Sequence, residues 1–138
     1  MVSSFVLDAS VAVRWFLDDE RSTEADAVLA RIAGDGVLVP AIWPYETTNA
    51  LLAAQRRNRI SRGDVATALE FMQNLPVSIE PASALHAERA WNVALARSLT
   101  VYDAAYLDLA SRHILPLATF DDALRRAARK SGVSLLRI

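Results

Sequence analysis

Four acidic side chains from separated stretches of the chain, Asp8, Glu46, Asp103 and Asp121, have the types and positions to meet at one end of a parallel sheet. Asp8 directly follows the apolar run Phe5-Val6-Leu7. Asp121 closely follows Leu115-Pro116-Leu117-Ala118, in the segment Thr119-Phe120-Asp121. Asp103 lies three residues after Thr100, in the first turn of a predicted helix. Glu46 is one turn into a helix that Pro44 opens, and Asn49, three residues on, shares its face. Ligand sites in open parallel sheets form beyond the carboxyl ends of the strands, where all four acids can point. Carboxylates crowded into a partly dry site raise one another's pKa, and a hard divalent cation relieves that. The chain has no cysteine, and its two histidines, His86 and His113, lack ligand spacing. Oxygen-only donors then favour Mg²⁺, with Mn²⁺ able to substitute, over zinc. Magnesium on a few carboxylates keeps waters and takes phosphate as a further ligand, which is the chemistry of phosphodiester hydrolysis.

Each acid also has a structural explanation. Asp8 could cap the helix that follows it, and Asp103 could be the distal half of a cap begun by Thr100. Glu46 could lie on a solvated helix face, and Asp121 could favour the N-terminal dipole of the last helix. These explanations are independent, so none accounts for all four acids falling at one end of a sheet. Asp108 lies about 140° around the helix from Asp103 and faces elsewhere. Asp122 is a weaker candidate, and Asp18-Asp19-Glu20 reads as a solvated turn.

The elements that must position these acids follow from periodicity. Short apolar runs at Phe5–Leu7, Val37–Val39, Val77–Ile79, Leu115–Ala118 and Val133–Leu136 predict about five strands. Pro116 lacks a backbone N–H, so the fourth strand starts after it or sits where that donor is not needed. Helices are predicted over 10–16, 22–33 (ending at Gly34), 44–57, 61–73 (capped by Ser61), 83–97, from Thr100 to near His113, and over 120–130. Short apolar strands separated by helices give a three-layer αβα fold with a central, mostly parallel sheet, in one domain spanning 1–138.

Composition narrows the function. The 138 residues are 53% hydrophobic, with 15 basic against 16 acidic side chains and a formal net charge of -1. Intrinsic disorder and bulk-charge coating of nucleic acid are excluded. Without cysteine, disulfide frameworks, zinc ribbons and thiol catalysis are excluded as well. No apolar run approaches a membrane span, and the N-terminal residues 1–8 lack the basic region of an export leader, so the cytoplasm is the expected location.

The stretches Val6-Leu7-Asp8-Ala9-Ser10, Glu46-Thr47-Thr48-Asn49, Tyr102-Asp103-Ala104-Ala105-Tyr106-Leu107 and Ala118-Thr119-Phe120-Asp121-Asp122-Ala123-Leu124, in this order, resemble a PIN-domain ribonuclease. The likeness is to the VapC toxins of bacterial toxin–antitoxin pairs, and it covers essentially the whole chain. The resemblance implies a Mg²⁺-dependent endoribonuclease using a water nucleophile. It assigns Asp8 and Asp103 as direct metal ligands, with Glu46 and Asp121 completing the cluster directly or through water. Ser10, Asn49 and Thr119 would orient the carboxylates. It also implies RNA as substrate, a homodimer, and a small antitoxin protein whose tail blocks the acidic groove.

An acidic pocket repels RNA, so positive charge is expected around it. Arg56-Arg57-Asn58-Arg59 with Arg62 form one cluster, and Arg125, Arg126, Arg129 and Lys130 another. Both can equally be solvated faces. Trp15, Trp43 and Trp91, flanked by apolar residues, fit the core or a dimer interface better than base stacking. A receiver-like signalling domain would need adjacent acids after the first strand, but Ala9 follows Asp8. A non-catalytic PIN-like binding module remains an alternative that the full carboxylate set argues against. A flap-type DNA nuclease would need duplex-binding additions that a chain of this length has no room for.

Overall fold

The computed structural model describes residues 3–138; Met1 and Val2, part of the segment read against an export leader, lie outside the described residues. Strand β1 (Phe5–Leu7) is fully buried, as a central strand covered on both faces must be. It pairs in parallel with β2 (Val37–Pro40) on one side and with β4 (Leu117–Ala118) on the other, while β3 (Val77–Glu80) pairs with β2 at the edge. The order is therefore β3-β2-β1-β4. As an edge strand β3 is only partly covered, and Ile79 is 49% exposed.

Helices α1 (Ala9–Ala12) and α2 (Thr23–Asp35) connect β1 to β2. Helices α3 (Trp43–Arg56) and α4 (Arg62–Gln73) connect β2 to β3, and α5 (Ala84–Arg97) and α6 (Val101–His113) connect β3 to β4. The first two crossovers step outward from β1, and the third returns across the sheet to its other side. Right-handed crossovers then put α1–α4 on one face and α5–α6 on the other, giving the expected three layers. Helix α7 (Asp122–Lys130) follows β4. The direction of connection reverses between β1 and β4, which is where a ligand crevice opens in such sheets.

Side-chain caps set most helix starts. Ser22, Ser61, Ser83 and Thr100 each accept the backbone N–H of the residue three positions on. The last helix begins at Asp122 rather than Phe120, because Asp121 is its cap and accepts from Leu124. Helix α2 runs past Gly34 and ends at Gly36, whose φ of 76° favours glycine. The helix predicted over 10–16 is α1 followed by a tighter 3₁₀ turn over Val13–Trp15.

The fifth predicted strand does not form a ladder. Val133–Leu136 reaches β4 through a single parallel bridge between Leu117 and Leu135, with Leu117 N–H on Ser134 O at 2.8 Å and Leu136 N–H on Leu117 O at 2.9 Å. β4 is two residues long and preceded by Pro116, which has no N–H to extend the pairing. Among the described residues the sheet thus has four strands.

Trp15 and Trp43 are core residues, and the Trp15 indole N–H donates to Ala25 O at 2.8 Å. Trp91 is not: it is 54% exposed on α5, beside exposed Leu95. Among the described residues no helix is long and apolar enough to cross a membrane.

Candidate active site

Asp8 leaves β1 at its carboxyl end. It holds the cap position of α1, but its carboxylate makes no cap hydrogen bond. Oδ2 instead accepts the Ser10 hydroxyl at 2.6 Å and the Thr119 hydroxyl at 2.8 Å. Ser10 Oγ also accepts the N–H of Phe120 at 3.0 Å, and Thr119 Oγ1 that of Asp121 at 3.1 Å. Two hydroxyls therefore tie the end of β1 to the end of β4, across the point where the topology reverses. Ser10 and Thr119 both lie against the Asp8 carboxylate.

Asp8 is buried, and burial raises its pKa, reinforced by the charge of Asp121 and opposed by the Ser10 and Thr119 hydroxyls. Glu46, half-buried in the first turn of α3, is raised by burial, with added repulsion from Asp8 and Asp103; the Tyr106 hydroxyl opposes this. Asp103, half-buried in the first turn of α6, is raised by burial and by the charges of Asp8 and Asp121, against its hydrogen bond with Thr100. The three raised carboxyls thus feel one another or Asp121, so all four acids share one electrostatic neighbourhood. Each raised group holds its proton more firmly in the folded chain than in the unfolded one. Stability is therefore lost as pH climbs from the ordinary carboxylate range through the raised values, and the deficit persists at neutral pH.

Asp121 divides its role. Its Oδ1 caps α7 through Leu124 N–H at 2.8 Å, and its charge still reaches Asp8 and Asp103. Asn49 is exposed on α3, one turn past Glu46, and its side chain makes no hydrogen bond to the four acids. Asp108 points away from the cluster, buried against Arg112 at 2.8 Å and Arg89 at 3.1 Å. Asp122 is exposed in the first turn of α7, and Asp19 and Glu20, in a solvated turn as expected, also pair with Arg59.

The partner of Glu46 was not anticipated from sequence. Tyr106 is fully buried and donates its hydroxyl to Glu46 Oε1 at 2.7 Å. The available signal was spacing: Tyr106 is three residues beyond Asp103 and so lies on the same helix face. Glu80 was also missed. It receives both terminal nitrogens of Arg112 at 2.6 and 2.9 Å, and Arg112, ahead of all else, holds its carboxyl below the usual range.

Among the described residues no three His, Asp or Glu side chains are already closed into a metal cage. Magnesium does not require one, since it commonly takes one or two carboxylates and fills its shell with water and substrate phosphate. The donor set fits such an ion: carboxylate oxygens only, one of them buried and oriented by two hydroxyls, with their charges in mutual repulsion.

The PIN-domain family profile matches residues 5–130. Ribonuclease VapC3 of Mycobacterium tuberculosis, from strains H37Rv and CDC 1551 alike, is 36% identical over 122 residues, covering 88% of this chain and 85% of the relative. The structure of VapC20 of Mycobacterium tuberculosis, a sarcin-ricin loop cleaving toxin, superposes with a TM-score of 0.70 at 16% identity, covering 98% of this chain and 100% of that one. A toxin–antitoxin complex from Klebsiella pneumoniae gives a TM-score of 0.59 at 22% identity, covering 86% of this chain and 87% of that one. At these identities the two structural likenesses speak for the fold alone.

Proposed function

This chain belongs to the PIN-domain family, in its VapC group, and on that premise we propose that it is a Mg²⁺-dependent endoribonuclease, the toxin of a toxin–antitoxin pair. The observation that carries the reading is the buried Asp8 carboxylate, held by Ser10 and Thr119 and within electrostatic reach of Glu46, Asp103 and Asp121. Asp8 and Asp103 would hold the ion directly, with Glu46 and Asp121 completing its surroundings. When bound, magnesium would polarise the attacking water and the scissile phosphate and offset the charge that develops on it.

The protein's own groups do the positioning. Ser10 and Thr119 fix the Asp8 carboxylate plane, and Tyr106 keeps Glu46 directed at the cluster while favouring its ionised form. Attack by water needs no side-chain nucleophile and leaves a 5′-phosphate and a 3′-hydroxyl.

A homodimer and a small antitoxin extend the same reading. Their support is the apolar surface left open on α5 and the first turn of α6, where Leu85 and Leu95 are each 66% exposed, Trp91 54% and Tyr102 58%. The solved relative in complex with an antitoxin has the same fold. The test of the reading is cleavage of single-stranded RNA by the purified protein. Cleavage should need added Mg²⁺ or Mn²⁺ and stop on chelation. Equal cleavage in excess chelator would overturn the metal-dependent mechanism, and no cleavage of any RNA would favour the non-catalytic module.

A further inference from the structure

A groove of about 300 Å³ lies between the turn joining α5 to α6 and the outer face of α7, lined by Arg97, Ser98, Leu99, Ala123, Arg126 and Lys130 among others. Both walls start at the acidic cluster. The α5–α6 turn runs into Thr100 and the helix turn bearing Asp103, and α7 starts from its Asp121 cap. Ala123, Arg126 and Lys130 follow one another at helical spacing on one face of α7. Arg126 and Lys130 stand roughly 6 and 12 Å along the axis from Asp122. Arg97 reaches across and donates to Lys130 O at 3.2 Å, a neutral acceptor that leaves its charge unneutralised.

We infer that this groove is a phosphate-binding channel, holding the RNA backbone next to the scissile bond; the inference rests on the ribonuclease reading above. The lining carries three cations and no acid. Among the described residues none of the three pairs with a carboxylate. The other basic cluster is less suited. Arg59 is tied to Asp19 and Glu20 at 3.0 and 2.7 Å, and Arg56 ends α3 about 15 Å along its axis from Glu46. A strand whose scissile phosphate enters the acidic cluster has its neighbouring phosphates in reach of Arg126 first and Lys130 one turn later. The alanines at 96, 123 and 127 keep the groove open to a backbone rather than filling it.

Counterion release tests this. Binding of a fluorescently labelled oligouridylate is measured against KCl concentration with Asp8→Asn as parent, so that the RNA stays intact. Replacing both Arg126 and Lys130 with alanine, or with glutamine to keep side-chain bulk, should make the log–log salt slope shallower by roughly 1.4, about 0.7 per lost phosphate contact. Arg56→Ala with Arg57→Ala should leave the slope unchanged. An unchanged slope in the groove variants overturns the inference, as does an equal loss in the α3 pair, which would reduce the effect to net charge. Weakened binding of an oligoglutamate peptide with an unchanged RNA slope would reassign the groove to a protein partner. Wild-type cleavage of the same RNA with Mg²⁺ is run alongside. Cleavage with an unchanged slope defeats the channel alone, while a shifted slope without cleavage defeats the ribonuclease reading alone.

Discussion

Asp8→Asn should lower the rate of RNA cleavage by on the order of 10³-fold or more, since losing a centre that supplies about 4 kcal/mol of transition-state charge stabilisation costs that factor. The asparagine oxygen can still accept the Ser10 and Thr119 hydroxyls, so the link between β1 and β4 survives and only the charge is lost. Asp103→Asn should behave alike, because its carboxylate would hold the same proposed ion and its N–H, which meets Thr100 Oγ1 at 3.1 Å, is untouched. Single-turnover cleavage at saturating Mg²⁺, with circular dichroism to confirm the fold, makes the measurement. A variant within about a hundredfold of wild type, the range expected for a merely orienting side chain, would remove that residue from the metal site.

The largest effect on stability should come from the ion-pair network at the other end of α6. Arg112 binds Glu80 through both terminal nitrogens and Asp108 through Nε at 2.8 Å, with Asp108 itself buried. Arg112→Met keeps the stem's packing but leaves buried Asp108 with Arg89 alone and Glu80 with only His86 and His113, a loss of charged hydrogen bonds that costs about 2 kcal/mol or more. With an m-value of roughly 2 kcal/mol/M, the urea midpoint should fall by roughly 1–2 M. The pH dependence has the opposite sign to that of the acidic cluster. Glu80 is held below the usual range, so its contribution is present above the ordinary glutamate pKa and disappears as pH falls through the lowered value. The variant should therefore lose less stability on acidification than wild type does. A midpoint shift worth under about 1 kcal/mol would place the pair among ordinary surface bridges.

These two charge groups differ in how far sequence could reveal them. The four acids were legible because each follows a strand or opens a helix, and strand ends and caps are local signals. Ser61, Ser83 and Thr100 announced their helices for the same reason. Glu80, Arg89 and Arg112 meet only once β3, α5 and α6 are packed, and nothing in their spacing states it. The Tyr106–Glu46 bond spans 60 residues and is equally a product of packing. Val133–Leu136 has the composition of a strand, but a proline and a two-residue neighbour decide that it makes one bridge. The flanks of Trp91 fitted the core or a dimer interface, and its exposure on α5, which rules out the core, is a matter of what remains uncovered after folding.

The fold holds Asp8, Glu46, Asp103 and Asp121 in repulsion that a divalent cation should relieve. Thermal melting at neutral pH, without divalent ions and then with added Mg²⁺, compares wild type with Asp8→Asn and tests that directly. Without the ion, the variant should melt roughly 3 °C or more above wild type, the size of about 1 kcal/mol in a domain this long. Magnesium should raise the wild-type Tm and leave the variant's nearly fixed. A variant that melts no higher than a wild type indifferent to Mg²⁺ would contradict the account.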